Sequence, residues 1–370
     1  METKLVRIAE ISATSKHPIF TSVYHLINED MLKQCHKELD GNKAVGIDKV
    51  TKDEYGKNLD RNIKELVQRL KNKSFKPLPS LRVYIPKGNG KKRPLGIASY
   101  EDKIVQMAVK KILGAIYEPR FLNCMYGFRP NRGCHEAIKE VYQRISYGKI
   151  SYIVDADIKG FFDHIDHDWM MKFLEWNIQD KNLLWLIRKY LKAGIMEQGK
   201  FEPTEEGSAQ GSVMSPMLAN IYMHHVLTLW FKLVVQRKMQ GECFLVNFAD
   251  DFVAGFQYKS EAERYYKELK ERMEKFEQKV RAYKNWIYDN RNRPMREIIK
   301  ELNVKLIGHY RYYGVTWNFR KITTFLHRVQ QFLFKAMNRR GCRRAYTWNG
   351  FVEMLKYYPL AKPKTYYCLY

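Results

Sequence analysis

Two apolar runs separated by a pair of acids constrain the fold of this chain more than any other feature. Residues 243–248 and 252–256 are strand-like, and Ala249, Asp250 and Asp251 lie between them. Because so short a connection joins antiparallel neighbours, the pattern predicts a tight hairpin. Adjacent carboxylates repel each other when partly desolvated, so a hairpin that keeps them favours a bound cation. Taken by itself, the acidic dipeptide also fits a plain polar turn.

A further acid, Asp157, closes a second strand-like segment in which apolar and acidic residues alternate. Val154 and Ala156 fall on one face of that segment, and Asp155 and Asp157 fall on the other. Mg²⁺ accepts oxygen ligands from one or two carboxylates together with substrate phosphates. Two ions about 4 Å apart would activate an attacking hydroxyl and stabilise a leaving pyrophosphate. The acids therefore predict a metal-dependent nucleotidyl-transfer site.

The residues around these acids favour a nucleotide as the substrate. Phe162 follows the acid that closes the strand by five positions, where its ring could pack beneath a sugar. Gln210 and Gly211 lie in a Gly/Ser-rich loop whose N–H groups could line a nucleotide. Lys87 and Arg93 lie on a predicted hairpin tip and could donate to a triphosphate. Each feature alone fits ordinary core or surface, but their order predicts a template-directed nucleotidyl transferase.

The polar residues near Phe162 are predicted to lie outside the catalytic set, and Asp155, Asp163 and Asp166 are interpreted as structural. Asp163 and Asp166 precede a helical pattern and fit its N-terminal cap. His164 and His167 lack the spacing to other ligands that a zinc site needs, so we expect them at ordinary surface positions.

The chain is strongly basic, with 65 Lys and Arg against 40 Asp and Glu and a net charge of +25. Residues 277–370 carry +15 of this charge, from 20 basic and 5 acidic residues, and they also contain 19 aromatic residues. Basic side chains neutralise phosphates, and aromatic faces stack on unpaired bases. The tail therefore predicts a nucleic-acid-binding module, the alternative being a basic protein whose charge serves solubility.

Length and periodicity predict more than one domain of the α+β class. The 370 residues are 45% hydrophobic, which excludes wholesale disorder. We expect a mostly antiparallel sheet framed by helices, then a helical tail that Pro294 helps to open. The patterns predict a basic-tipped hairpin within 76–97, breaks at Gly308, Gly314 and Gly341, and helices at 31–39, 59–71, 102–116, 134–145, 217–235 and 260–276.

The cysteines and the apolar runs indicate the cellular compartment in which the protein acts. Six dispersed cysteines without a CxxC pair argue against a zinc site or a disulfide framework and favour a reducing compartment. The longest apolar run, residues 183–187, is far shorter than a membrane span, and no signal-peptide pattern opens the sequence. We therefore expect a cytoplasmic protein of bacterial or organellar type without a membrane partner.

Five motifs occur in the order found in reverse transcriptases encoded by group II introns. They are RVYIPKGNGKKRPLGI, YGFRPNRGCHEAI, DIKGFFDHIDH, AQGSVMSPMLANIYM and FADDF. Upstream, GIDKVTKDEYGKNLDRNIKELVQRLKNKSFKP resembles the N-terminal extension of that family. Downstream, NRNRPMREIIKELNVKLIGHYRYYGV and the TWNGF segment resemble its thumb, or maturase, domain. From about residue 30 onward, the chain resembles a group II intron-encoded reverse transcriptase/maturase.

The resemblance implies a right-hand polymerase fold with three parts. These are an N-terminal extension with fingers in residues 1–148, a catalytic palm in 149–276 and an all-helical thumb in 277–370. It implies RNA-directed DNA polymerase activity that uses two Mg²⁺ ions, an RNA template, a DNA primer and deoxynucleoside triphosphates (dNTPs). It also implies binding of a structured, group II intron-like RNA and a role in its splicing.

The matched motifs also imply roles for single residues. Phe162 matches the aromatic gate that excludes a ribonucleotide 2′-OH, and the carbonyl of Ile158 matches a further metal ligand. The catalytic, metal-binding carboxylates are Asp157, Asp250 and Asp251. The residues matching the pocket for the incoming triphosphate are Lys87, Arg93, Gln210 and Gly211.

The chain departs from the family after about residue 276. There the family continues with a Lys-Thr-containing segment and a Phe-Leu-Gly hairpin, whereas RMEKF leads here almost directly into the thumb-like EQKVRAYKNWIYDN. The missing lysine is the family's candidate general acid for pyrophosphate, and such help contributes about 10²–10⁴ in rate. We therefore expect weakened polymerisation. Without a Cys-rich DNA endonuclease domain, we also expect no intrinsic second-strand cleavage.

Other functions stay open at this point. Loss of the palm segment would suit an RNA-binding splicing cofactor that does not polymerise. A domesticated reverse transcriptase, for example one in phage defence, would share the same catalytic motifs. An RNA-dependent RNA polymerase is disfavoured, because Phe162 and the Phe-Ala-Asp-Asp hairpin both resemble reverse transcriptases. The sequence predicts no oligomeric state.

Overall fold

A computed structural model describes residues 2–86, 92–158, 160–204, 206–208, 210–313, 319–339 and 346–363. Its internal contacts divide the chain into two compact units, Met1–Tyr266 and Lys267–Tyr370. The first unit contains all the strands of the described residues, and the second is helical. The three-part division with boundaries at 148 and 276 stays a prediction.

Several helices of the first unit bury an apolar stripe, and five of them begin at a side-chain cap. In the helix over 59–71, Ile63, Leu66 and Leu70 are buried. Asp180 caps a later helix and also accepts from the N–H groups of Val23 and Tyr24, at 2.7 Å each. The helices are α1 (Glu2–Thr14), α2 (Glu29–Glu38), α3 (Lys52–Gly56), α4 (Leu59–Lys71), α5 (Tyr100–Tyr117), α6 (Cys134–Tyr147), α7 (His167–Glu175), α8 (Lys181–Leu191), α9 (Ser215–Met223) and α10 (Gln236–Lys238). The five that begin at a side-chain cap are α2, α3, α5, α7 and α8.

Seven strands form two sheets in the described part of the first unit. They are β1 (Ser80–Pro86), β2 (Lys92–Ile97), β3 (Tyr152–Asp157), β4 (Ile195–Glu197), β5 (Lys200–Glu202), β6 (Cys243–Phe248) and β7 (Asp251–Phe256). The four-stranded sheet has the order β2-β1-β4-β5, and only its β1–β4 pair is parallel. The three-stranded sheet has the order β3-β7-β6 and is antiparallel throughout. Both predicted hairpins and the mostly antiparallel α+β class are therefore confirmed.

The three-stranded sheet is packed on both faces. On one face, Phe256 contacts Phe231 and Tyr265, with ring centroids 6.3 and 5.0 Å away. On the other face, Phe244 and Val246 form a small buried cluster with residues of α6 and the segment before it. Because β6 and β7 are covered in this way, the apolar runs that predicted the hairpin are explained by burial.

A continuous helical stretch, Ser215–Lys238, lies between β5 and β6 in the sequence. It joins α9 and α10 through two π-helical segments, His224–Thr228 and Phe231–Val235. By length and composition this described helix could cross a membrane, with a mean hydropathy of 1.2, but 67% of its apolar window is buried within the protein. A core helix has the same composition, so this is weak evidence for a span. Polar residues interrupt the stretch, so it contains no long uninterrupted apolar run.

The second unit is built from helices that bury one apolar core. The helices are α11 (Lys259–Asp289), which begins in the first unit, α12 (Met295–Tyr313), α13 (Phe319–Met337) and α14 (Trp348–Tyr357). Ile298, Leu302 and Leu306 of α12 are buried together with Val329 and Leu333 of α13. The helical tail is therefore confirmed, with α12 beginning directly after Pro294 as predicted.

Two helix ends were predicted wrongly. Helix α11 continues to Asp289, beyond the expected end near residue 276, because no glycine or proline interrupts that stretch. Helix α12 passes through Gly308, where a break was expected, since one glycine inside a longer periodic helix costs only about 1 kcal/mol. The predicted breaks at Gly314 and Gly341 lie outside the described residues.

Candidate active site

Strands β6 and β7 and the turn that joins them, here called the acidic hairpin, bring the predicted acids together. Ala249 and Asp250 form a two-residue turn, because Phe248 pairs directly with Asp251. Asp251 also pairs with Asp157 at the end of β3. Directly opposed residues on antiparallel strands have Cα atoms about 4.5–5.5 Å apart. The register therefore makes these acids immediate neighbours, as the sequence predicted for a shared site.

The backbone of Ile158 connects β3 to the turn of the acidic hairpin. Its N–H donates to the carbonyl of Asp250 at 3.4 Å, and its own carbonyl accepts from the N–H of Phe161 at 3.1 Å. A carbonyl oxygen has two lone pairs, so that of Ile158 retains one acceptor position. Asp157 and Asp251 are exposed, and Asp250 is half-buried. All three acids are thus accessible from solvent at one corner of the sheet.

The atoms available at this corner suit a hard divalent cation. Carboxylate and carbonyl oxygens are the ligands that Mg²⁺ accepts, and the predicted set of Asp157, Ile158, Asp250 and Asp251 supplies only oxygens. Among the residues that the structure describes, no three His, Cys, Asp or Glu side chains already converge on a metal position. The donor atoms and the backbone register therefore fit such an ion.

Phe162 lies at the start of the segment that follows β3. Its side chain is buried, with the ring 5.5 Å from that of Phe161 and 6.5 Å from that of Phe128. Its carbonyl accepts from the N–H of Ser208 at 2.7 Å, which joins it to the loop before α9. The structure therefore places the predicted gate beside the predicted nucleotide loop, with its ring packed on two aromatic neighbours.

The prediction for His167 was wrong, because this side chain is buried and not at the surface. Its Nε2 lies 2.5 Å from the carbonyl of Gly207, and burial lowers the pKa of the imidazole. A neutral ring that donates to this carbonyl fixes the loop onto α7, which the spacing of the histidines gave no reason to expect. His164 is exposed and Asp166 caps α7 as predicted, whereas Asp163 lies in a preceding 3₁₀ turn.

Three of the four predicted triphosphate residues are described, and the structure brings them together. The Nε of Arg93 donates to Oε1 of Gln210 at 3.3 Å, and the carbonyl of Gln210 accepts from the N–H of Gly96 at 2.6 Å. Gly211 has φ +100°, and a Cβ there would lie 3.0 Å from the carbonyl of Gly96. The loop thus depends on glycine to approach β2. Lys87 lies outside the described residues.

The segment Cys124–Phe128, here called the hairpin socket, was missed as a functional element. Tyr126 donates its N–H to the carbonyl of Asn247 at 2.8 Å, and Asn247 donates its N–H to the carbonyl of Cys124 at 2.7 Å. These bonds attach the socket to β6 on the side opposite β7. The YGFRP sequence marked this segment as part of a motif, but it contains no acid or metal-ligand pattern that would have predicted a role.

A family comparison identifies the polymerase domain. The model of the family described as "Reverse transcriptase (RNA-dependent DNA polymerase)" matches residues 85–311. This range contains β2, the acidic corner and the loop with Gln210, and it begins within β1. It covers more than half of the chain.

The chain is 38% identical over 238 residues to the group II intron-encoded protein LtrA of Lactococcus lactis subsp. cremoris, a match covering 64% of this chain and 39% of that protein. It is 37% identical over 187 residues to the protein YkfC of Escherichia coli, covering 50% of this chain and 49% of that one. The chain thus spans less than half the length of either relative.

The solved structure of a partial Cas6-RT-Cas1–Cas2 complex matches 73% of this chain and 42% of that chain, at 16% identity and a TM-score of 0.37. Nuclear intron maturase 1 of Arabidopsis thaliana is 30% identical over 93 residues, covering 25% of this chain and 13% of that protein. The sequence matches confirm the resemblance that the motifs predicted. The chain belongs to the reverse transcriptase (RNA-dependent DNA polymerase) family, and its relatives include group II intron-encoded proteins.

Proposed function

We propose that the protein is an RNA-directed DNA polymerase of the group II intron type, which transfers deoxynucleotides to a primer 3′-OH on an RNA template. The observation that carries the proposal is the direct pairing of Asp157 with Asp251 beside the turn that bears Asp250. A site for two-metal nucleotidyl transfer needs carboxylates on neighbouring backbone positions that are open to substrate. The acidic corner meets both requirements.

Residues of the acidic hairpin and of β3 would hold the metal ions, and residues of the β1–β2 hairpin would bind the triphosphate. Asp157, Asp250 and Asp251 would hold Mg²⁺, with the carbonyl of Ile158 as a further oxygen ligand. When bound, the ions would lower the pKa of the primer hydroxyl and offset charge on the triphosphate. Arg93 would donate to the phosphate oxygens, and its contact with Gln210 would orient it for that purpose.

Two further elements would select and position the nucleotide. Phe162 would pack beneath the sugar, where its fixed ring disfavours a 2′-OH. Gln210 and Gly211 would line the same pocket from the loop that Gly96 holds against β2. Lys87, from the same hairpin as Arg93, would be a second donor to the triphosphate.

The rate of this polymerase is expected to be modest. Between β7 and α12 the described backbone consists of α11 and short turns, so no strand follows β7 in that stretch. This agrees with the expected loss of the Lys-Thr segment and its hairpin. Without a lysine to protonate the leaving pyrophosphate, the reaction would forgo general-acid help of about 10²–10⁴ in rate.

Removal of the turn carboxylate tests the proposal. Asp250→Ala should reduce Mg²⁺-dependent primer extension on an RNA template by about 10³-fold, because metal stabilisation contributes several kcal/mol. RNA binding by filter retention should change little. Asp60→Asn, on the exposed surface of α4, is the matched control and should extend primers at the wild-type rate. Extension that survives in Asp250→Ala would contradict the assignment.

A second function is favoured by the composition of the predicted thumb region. Residues 277–370 carry +15 of the net charge of +25 together with 19 aromatic residues. We propose that this region binds a structured, intron-like RNA and assists its splicing, with or without polymerisation. Splicing of a flanking intron RNA that is unaffected by Asp250→Ala would support this role. Failure of the protein to bind any structured RNA more tightly than a duplex DNA would contradict it.

We also propose that the protein acts in a reducing, cytoplasmic compartment. The described cysteines Cys35, Cys124, Cys134 and Cys243 are all free thiols. Disulfides form and persist in oxidising compartments, so four unpaired thiols support this location.

A further inference from the structure

We propose that Asn247 and Gly127 are positioning residues, which fix the turn of the acidic hairpin so that its carboxylates can bind divalent metal. The inference deepens the proposed function, on which it rests. It concerns two residues that supply none of the proposed metal or substrate ligands. Both contact the turn that carries Asp250, one from within β6 and one from the hairpin socket.

Asn247 joins the turn to the socket through four hydrogen bonds. Its side chain is buried, with Nδ2 donating to the carbonyl of Ala249 at 2.8 Å and to that of Asp251 at 3.3 Å. Its backbone N–H and carbonyl bond to Cys124 and Tyr126 of the socket. The amide group thus holds the carbonyls on either side of Asp250. A side chain without an N–H donor at this position would release both of them.

Gly127 of the hairpin socket lies directly against the turn. A Cβ at this position would lie 2.4 Å from the backbone nitrogen of Ala249 and 3.1 Å from its Cα, so only glycine allows this approach. The carbonyl of Gly127 accepts from Nδ2 of Asn220 at 2.8 Å, and Asn220 is buried in α9. The hydrogen bond from Asn220 therefore fixes the hairpin socket in place, and the socket cannot move away from the turn without breaking that bond.

The turn needs such support because its own conformation is unfavourable. Ala249 has φ +58°, in the left-handed region that L-residues other than glycine rarely adopt. Backbone of this kind persists only where the surrounding structure over-determines it. The directions of the Asp250 and Asp251 side chains follow from the same backbone. Loss of the supporting contacts should therefore displace the carboxylate oxygens that are proposed to bind metal.

Two variants remove the contacts, and two matched variants control for general damage. Asn247→Leu removes the amide donor at similar volume, and Gly127→Ala places a methyl group against the turn. The control for the first is Asn177→Leu, because Asn177 is equally buried and donates to the carbonyl of Pro18 at 3.0 Å, away from the acids. The control for the second is Gly114→Ala in α5, where a Cβ would meet only Met217, at 3.6 Å.

The first measurement is the affinity of the protein for Mn²⁺ without substrate, monitored by electron paramagnetic resonance. The Asp250→Ala variant shows how much Mn²⁺ binds at other sites, and the difference from it is the Asp250-dependent binding. Residues that orient metal ligands typically affect metal affinity by about 10–100-fold. We expect Asn247→Leu and Gly127→Ala to weaken the Asp250-dependent binding by at least about tenfold, and the two controls to leave it unchanged. The second measurement is the Mg²⁺ concentration for half-maximal primer extension, which should rise in parallel.

A rescue variant separates positioning from simple packing. Ala249→Gly should restore part of the Mn²⁺ affinity in the Asn247→Leu background, because glycine adopts φ +58° without a Cβ penalty. A packing defect would instead be deepened by the added glycine. If Gly127→Ala fails to fold, the comparison of Asn247→Leu with this double variant still tests the positioning role of Asn247.

The outcomes separate this inference from the proposed function. If the wild type binds Mn²⁺ through Asp250 but extends no primer, the polymerase proposal fails, and the Mn²⁺ comparison still decides the roles of Asn247 and Gly127. The inference is overturned if Asn247→Leu lowers the melting temperature as Asn177→Leu does while the metal affinity stays at the wild-type value. It is also overturned if the wild type shows no Asp250-dependent binding.

Discussion

The acidic hairpin differs from β1–β2, here called the basic hairpin, in how its functional tip is supported. Both are antiparallel hairpins with charged residues at or near the turn. In the acidic hairpin, β7 lies between β3 and β6, the socket flanks β6, and most residues are buried. In the basic hairpin, β2 is an edge strand, and exposure increases along both strands toward the tip.

The difference follows from what each charge is expected to do. Carboxylates that share a metal ion have to meet at defined positions, and their side chains are short, so the backbone must be fixed. Lysine and arginine reach phosphates on long side chains and tolerate backbone movement. Pro94, which has no N–H to donate, is accommodated in the edge strand β2 but would break a ladder in a central strand such as β7.

The largest effect is expected from loss of the buried arginine that directly follows the hairpin socket. The side chain of Arg129 is 7% exposed, and its guanidinium donates to Glu118 at 2.6 Å and to the carbonyls of Leu122 and Met125 at 3.0 Å each. Arg129→Met leaves the Glu118 carboxylate without its cation. The free energy of unfolding in urea should fall by about 3–5 kcal/mol.

Two companion variants sharpen this expectation. Arg61→Met breaks an exposed ion pair with Glu65, also between a guanidinium and a carboxylate, and should cause only a small fraction of that loss. Replacing Arg129 and Glu118 together by apolar residues should recover much of the stability, because the unpaired charge is then absent. Equal losses for the buried and the exposed arginine would show that burial of the ion pair beside the hairpin socket does not set the size of the effect.

The parts of the fold that the sequence predicted are those that depend on local pattern. The period of Ile63, Leu66 and Leu70 predicted α4 with its correct bounds. The short link between two apolar runs predicted the acidic hairpin, and strand alternation placed Asp155 and Asp157 on one face of β3. In each case the determining contacts lie within a few residues of one another along the chain.

The features that were missed depend on contacts between distant segments. In the sequence, Asn247 is one polar residue in an apolar strand. Its proposed role depends on the hairpin socket, which lies more than a hundred residues earlier in the chain and beside it in the structure. His167 was misplaced because the carbonyl of Gly207 that holds it lies 40 residues away. No periodicity or spacing encodes such partners, whereas the motif resemblance marked their segments without assigning their contacts.

An intermediate effect is expected from acidification, through His224 beside the hairpin socket. Burial, followed by the nearby His225, Arg120 and Arg129, lowers the pKa of His224 to about 3. The imidazole is thus neutral in the folded protein but takes up a proton in the unfolded chain below about pH 6.5. Stability should therefore decrease as the pH falls below 6.5, by up to about 1.4 kcal/mol per pH unit.

The variant His224→Phe isolates this contribution. Phenylalanine suits the site because the ring of His224 already packs edge-on against Phe121, at 5.5 Å. Urea unfolding at pH 7.5, 6.5 and 5.5 should show a shallower loss of stability in the variant than in the wild type. His135→Asn removes an exposed histidine and should keep the wild-type pH dependence. Parallel pH profiles for His224→Phe and the wild type would show that the buried imidazole is not responsible.

The smallest effect is expected at the basic hairpin, where a change of chemistry should alter binding and leave stability unchanged. Arg93→Lys keeps the charge but loses the planar group that donates to Gln210 and, as proposed, to the triphosphate. An exposed charged contact contributes a few tenths to 1 kcal/mol, so the KM for dNTPs should rise roughly two- to fivefold at nearly constant kcat. Steady-state primer extension measures both constants, and Gln210→Ala should give the same pattern. A decrease in kcat with unchanged KM would instead indicate that Arg93 acts in the chemical step, as the acids are proposed to do. The proposal that the basic hairpin binds the triphosphate while the acidic hairpin holds the metal ions would then be wrong.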